Sequence, residues 1–229
     1  MTTAKAPYPT AALEDVGWLS RAQMTEVDRI MIEDLGIDLL QMMENAGRSL
    51  AELVQRFEPT TVTVLAGSGG NGGGGLVAAR HLANHGVDVS VTLGRPVDGL
   101  APVTARQYEI LRRMGVTMII EPRRSDVVID ALIGYSLSGV PTGRIGRLIE
   151  AIGGLGDRIV SLDTPSGLDI DDGTTPGAAV TAATTMTLAL PKIGLRHAPQ
   201  VGELYLADIS VPPSVYETID AGPPPDFLR

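Results

Sequence analysis

The sequence predicts an α/β fold, a mostly parallel sheet with helices on both faces. Three observations carry this. From residue 61 onward, short β-branched runs alternate with longer stretches of helical periodicity. A glycine-rich segment joins a strand to a helix. Two strands end in an aspartate, Asp130 and Asp163, at the edge where open parallel sheets bind ligands. Together they describe a Rossmann-like domain.

The elements follow in order. Residues 1–18 contain Pro7 and Pro9 and read as a loose N-terminal arm. Ser20 is an N-cap for a helix over residues 22–32, and Gly36 interrupts the pattern. A second helix covers residues 38–57, with Leu39, Met43, Ala46, Leu50 and Leu53 along one stripe. Residues 61–66 form a buried strand, and a helix follows the glycines from about residue 75 to residue 85. Strand, helix and strand are then expected over 87–93, 101–114 and 116–120. Residues 127–131, 142–152 and 158–162 continue the alternation. Residues 184–190 and 203–209 have no long helix between them, so a hairpin-like pair is expected to close the sheet edge. Residues 19–210 make one domain. Residues 211–229 hold five prolines and read as a surface strap or a disordered tail.

Composition narrows the function. The formal net charge of −9 opposes a nucleic-acid or anionic-membrane surface. With no cysteine, the chain has no disulfide, thiolate nucleophile or Cys-ligated zinc. His81, His85 and His197 do not have metal-site spacing, and a solvated helix face is expected for the first two. No secretory signal or membrane-length apolar stretch is present, so a cytoplasmic protein is expected.

Residues 67–75 contain seven glycines in nine positions. Glycine allows a ligand to approach the backbone, and free N–H groups at a helix start attract anions. A phosphate-bearing guest is the expected ligand, with a tight packed turn as the alternative. No Lys-Ser or Lys-Thr follows, which excludes a Walker loop, and no acid ends the next strand at the ribose position. Asp130, the Asn71 amide and the Ser166 hydroxyl are hard oxygen donors that could gather a cation. Either aspartate alone could be a turn cap.

The motifs resemble the YjeF N-terminal domain family, the NAD(P)H-hydrate epimerases. The carrying segments are Met43-Glu44-Asn45-Ala46-Gly47, Gly67 to Leu76 with Ala79-Arg80, Asp130 to Gly134, Asp163-Thr164-Pro165-Ser166-Gly167, and Pro191-Lys192. The resemblance spans about residues 20–210. It implies a three-layer α/β/α Rossmann-like sandwich, often dimeric, acting on hydrated NADH or NADPH. It implies one K+ per subunit, ligated by Asn71, Asp130 and Ser166. It implies substrate binding by Gly70, Asn71, Gly72, Gly73 and Gly74, and by Gly134, Tyr135, Ser136, Leu137, Ser138, Gly139 and Val140. Asp163 would touch the substrate and move the proton. Lys192 would either reach a phosphate or make a surface salt bridge. A separate ADP- or ATP-dependent dehydratase is the implied functional partner.

Two positions depart from the family pattern: Gly70 stands for its first loop Asn and Gly74 for its loop Asp. Both can offer N–H groups but no side-chain oxygen. A noncatalytic nucleotide- or ADP-ribose-binding module is therefore the alternative. An ordinary dinucleotide oxidoreductase is disfavoured by the missing ribose acid.

Overall fold

The computed structural model describes residues 11–226, so the first ten residues of the expected arm lie outside the described residues. The strands are β1 (Thr61–Ala66), β2 (Asp88–Leu93), β3 (Thr117–Met118), β4 (Ser125–Ala131), β5 (Gly156–Leu162), β6 (Thr184–Leu188) and β7 (Glu203–Ala207). The helices are α1 (Arg21–Arg29), α2 (Leu39–Gln55), α3 (Gly70–Asn84), α4 (Pro102–Arg113), α5 (Gly143–Ala151) and α6 (Pro213–Thr218). Among the described residues the strands form one sheet in the order β3-β2-β1-β4-β5-β6-β7. Every pairing is parallel.

Each strand divides its side chains between two layers, as the period of two requires. Val62, Val64 and Ala66 of β1 and Val127, Ile129 and Ala131 of β4 pack with Leu50 and Val54 of α2 and Leu76 and Leu82 of α3. Leu65 and Val128 point the other way, onto Leu148 and Ile149 of α5. The sheet is thus covered on both faces, the three-layer sandwich the sequence predicts.

Local signals place the helix starts. The Ser20 side chain accepts from the Gln23 N–H, and the Gln23 amide oxygen accepts from the Ser20 N–H at 3.0 Å, a reciprocal cap. The Gln41 side chain accepts from the Asp38 N–H at 2.8 Å. Pro102 and Pro213 stand in the first turns of α4 and α6, where a missing N–H costs nothing.

Two expectations are corrected and a third is decided. First, β6 and β7 pair in parallel, not as a hairpin. Their connection folds over the strand ends through a 3₁₀ turn at Ile193–Leu195, anchored where Leu19 and Lys192 form a bridge. Second, α3 begins at Gly70, so most of the glycine run is helix, not loop. Third, of the two readings of the tail, residues 211–226 follow the strap and not the disordered one, and they are fastened to the fold. Val211, Val215, Tyr216 and Ala221 are buried against Leu19, Met24, Met31 and Met42, and the Gly17 N–H donates to the Pro223 carbonyl at 2.9 Å. Among the described residues, no helix is long and apolar enough to cross a membrane.

Candidate active site

The strand order reverses between β1 and β4, and a crevice opens beyond their C-terminal ends. The turns after β1, β4 and β5 all reach it. Register explains how. Asp130 lies opposite Leu65 of β1 and Ser161 of β5, so its carboxylate faces the α5 side at the last rungs of the ladder.

Asp130 is fully buried and receives four donors. The Ser161 hydroxyl and the Ser166 N–H each donate to Oδ2 at 2.8 Å. The Ser166 hydroxyl donates to Oδ1 at 2.6 Å, and the Leu132 N–H donates to it at 3.3 Å. Burial pushes the Asp130 carboxyl upward, while the Ser166 bonds work against that shift. Ser166 Oγ also accepts from the Ile133 N–H at 2.8 Å, so Asp130 and Ser166 hold together the turns after β4 and β5. Nearby, both polar atoms of the Asn71 amide are buried without a hydrogen-bond partner among the described residues. A buried amide in that state costs roughly 1–3 kcal/mol unless a guest satisfies it.

Asp163 leaves β5 with a left-handed φ of 67°, its N–H still bound to the Met186 carbonyl at 2.7 Å. That twist turns its carboxylate toward the crevice. Oδ2 accepts from the Tyr135 N–H at 2.9 Å, and Oδ1 pairs with Lys192 Nζ. Lys192 is neither a surface bridge nor a free phosphate ligand. Its side chain has 0% exposure, and Nζ also donates to the Leu188 carbonyl at 2.8 Å and to Thr187 Oγ1 at 3.2 Å. All three ammonium donors are thus used, which a buried ion pair needs.

Before these groups lies a pocket of about 230 Å³. Gly70, Asn71, Gly74, Gly134, Tyr135, Ser136 and Asp163 line it, with Met24, Leu39, Met42, Leu162 and Leu188 supplying an apolar wall. A Cβ on Gly134 would stand 2.9 Å from Asp163 Oδ2 and 3.1 Å from Asn71 Cγ, so glycine keeps that contact open. Gly72 and Gly73 lie behind the lining. A Cβ on Gly72 would come 2.0 Å from the Gly67 carbonyl oxygen, and one on Gly73 would come 2.5 Å from Met43 Sδ. Those glycines serve helix packing, the alternative the sequence left open. Leu137 is buried, while Ser138, Gly139 and Val140 are exposed beyond the pocket mouth. Arg21 ties this segment down. Its guanidinium donates to the carbonyls of Tyr135 and Leu137 and to Asp169 at 2.8 Å.

Two features escaped the sequence reading. Asp28 lines the pocket from α1, and its carboxylate accepts the Tyr135 hydroxyl at 2.6 Å. Burial pushes the Asp28 carboxyl up, the Tyr135 bond counters it, and Asp163 raises it further. The other is Arg21. A signal for Asp28 does exist, because it falls on the apolar stripe of Met24, Val27 and Met31. His81 and Glu44 are not simply solvated: His81 Nε2 lies 2.8 Å from Glu44 Oε1, and Arg80 pairs with the same carboxylate.

The chain is similar to several known proteins. The NAD(P)H-hydrate epimerase of Dehalogenimonas lykanthroporepellens is 51% identical over 219 residues, covering 91% of this chain and 88% of the relative. That of Truepera radiovictrix is 35% identical, covering 90% and 95%. The bifunctional NAD(P)H-hydrate repair enzyme Nnr of Hyperthermus butylicus is 41% identical, covering 87% of this chain but 40% of the relative. The crystal structure of yeast ynu0 shares the fold, with a TM-score of 0.79 at 24% identity over 91% of this chain and 95% of that one. The model of the YjeF-related protein N-terminus matches residues 39–194. With the same motifs gathered around one crevice, the chain belongs to the YjeF-related N-terminal family.

Proposed function

We propose that this protein is an NAD(P)H-hydrate epimerase, interconverting the R and S forms of hydrated NADH and NADPH. The observation that carries the reading is a buried Asp163–Lys192 pair whose carboxylate opens onto a mostly apolar, ring-sized pocket. A volume near 230 Å³ suits one pyridine-derived ring, not a whole dinucleotide. The rest of the substrate would run outward along Ser136 to Val140. Its phosphates would meet the N–H groups at the start of α3, where Gly69 provides no side-chain cap.

The chemistry needs little. The substrate hydroxyl sits on a ring carbon beside nitrogen. As water departs, the nitrogen lone pair gives a planar iminium, and readdition of water to the other face inverts the centre. Asp163 is the proton carrier. Lys192 and the Tyr135 N–H fix its carboxylate, so it acts from one position.

K+ is the cofactor of this reading, and the residues fit it. Asn71 offers an unsatisfied amide oxygen, while Asp130, the Ser166 hydroxyl and the Ile133 carbonyl supply further hard oxygens around Ser166. Bound there, K+ would brace the turns after β4 and β5 and offset the Asp130 charge near the substrate phosphates. K+ should then raise the melting temperature in place of Na+, and Asn71→Ala should abolish the difference. The reading also includes a homodimer, a cytoplasmic location and an ADP- or ATP-dependent dehydratase as partner. Relatives named as bifunctional, of which this chain spans about two fifths, support the last.

The test is chromatographic. Prepared R-hydrate, incubated with the protein, should yield S-hydrate. Asp163→Asn should slow this by about 10²–10⁴-fold while the variant still melts cooperatively. No interconversion by the unmodified protein, with ADP-ribose still raising its melting temperature, would favour the noncatalytic module. The side-chain-free pocket wall at Gly70 and Gly74 is the feature that would explain such a result.

A further inference from the structure

Resting on the epimerase reading, we infer that Asp28, coupled to the Tyr135 hydroxyl, is the second acid–base group of the site and serves the ring face turned away from Asp163. A single tyrosine connects the two carboxylates. The Tyr135 N–H donates to Asp163 at 2.9 Å, and the Tyr135 hydroxyl donates to Asp28 at 2.6 Å. The two acids therefore hold opposite ends of one residue. They reach the same pocket from different elements, α1 and the end of β5. Packing gives no reason for a carboxylate at Asp28. Asp28 interrupts an apolar stripe, and burial disfavours its charge.

Epimerisation explains why two are needed. A carboxylate fixed on one wall reaches only one face of a planar iminium. Inversion requires water to leave from one face and return on the other. In one direction, the Asp28 carboxyl gives its proton to the departing hydroxyl. The C–O bond breaks, water leaves, and the nitrogen lone pair becomes the C=N bond. A second water then attacks from the far side, its proton passing to the Asp163 carboxylate as the new C–O bond forms. The net change is a proton moved from Asp28 to Asp163, with one water released and one consumed. The reverse direction uses the same groups with exchanged roles. Their environments differ in the sense this requires: Asp163 is paired with a buried ammonium, and Asp28 is not.

Isotopic exchange separates this from a structural role. R-hydrate and S-hydrate, each made in ordinary water, are incubated separately with the protein in ¹⁸O-water, and both epimers are separated and weighed by mass spectrometry. The unmodified protein should label both. Asp28→Asn keeps an acceptor for the Tyr135 hydroxyl but cannot carry the proton. It should lose interconversion by at least about 10²-fold, while label still enters the one epimer that Asp163 serves. Tyr135→Phe, which keeps Asp28 and frees it from its partner, should slow interconversion and leave exchange standing. The inference falls if Asp28→Asn interconverts within threefold of the unmodified protein, or if in both variants exchange falls together with interconversion whichever epimer is supplied. Failure of the unmodified protein to interconvert the epimers would instead overturn the epimerase reading itself.

Discussion

At the scale of single residues, charge burial governs what the site tolerates. Lys192 and Asp163 are deeply buried together, so each makes the other affordable. Lys192→Met should cost on the order of 3 kcal/mol in urea unfolding, because it leaves a buried carboxylate unpaired. Adding Asp163→Asn to it should recover part of that loss, since the double variant has no stranded charge. Asp126 behaves differently. Hydrogen bonds from the Thr60 hydroxyl and the Thr60 and Thr61 N–H groups hold its carboxyl down at about 2, from an ordinary 3.8. A depressed acid stabilises the fold above its unfolded value and loses that contribution as pH falls through its folded one. Asp126→Asn should therefore flatten the decline in melting temperature between pH 4 and pH 2 and lower the plateau above it. Residues of this kind are only partly legible beforehand. Asp130 and Asp163 end apolar strands and are visible in the sequence. Lys192 gives no such sign, because its burial depends on a partner 29 positions away.

At the scale of elements, α3 shows how composition misleads. Seven glycines in nine residues suggest a flexible phosphate loop, yet from Gly70 they build the first turns of a helix wedged among β1, β4 and α2. Two substitutions should separate the roles. Gly72→Ala places a methyl 2.0 Å from the fixed Gly67 carbonyl oxygen and should destabilise by about 3 kcal/mol or more. Gly70→Ala meets nothing within 4 Å and should stabilise the helix by about 0.5–1 kcal/mol. Thermal denaturation of the two variants measures both. The parallel pairing of β6 and β7 was hidden for a related reason. Their connection contains no long helix, and what reverses the chain is the 3₁₀ turn fastened to Leu19 by backbone hydrogen bonds.

Across the whole molecule, residues 211–221 close the pocket side. That segment packs on α1 and α2 through Val211, Val215 and Tyr216, and the same cluster includes Met24 and Met42 of the pocket wall. Tyr216→Ala should lower stability by about 3 kcal/mol in urea unfolding. It should also weaken ADP-ribose binding, because α1 carries both Met24 and Asp28. Insensitivity of binding to this change would show that the wall holds its shape without the tail.

The sequence by itself determined the alternation of strands and helices, the edge of the sheet where the pocket lies, and the two aspartates at the strand ends there. Those features are written in local periodicity and turn chemistry, which act over a few residues. Only the tertiary structure decided that Lys192 is buried against Asp163, that Tyr135 joins Asp163 to Asp28, and that most of the glycines pack a helix. Each depends on a contact between segments distant along the chain, and neighbouring residues do not encode such contacts.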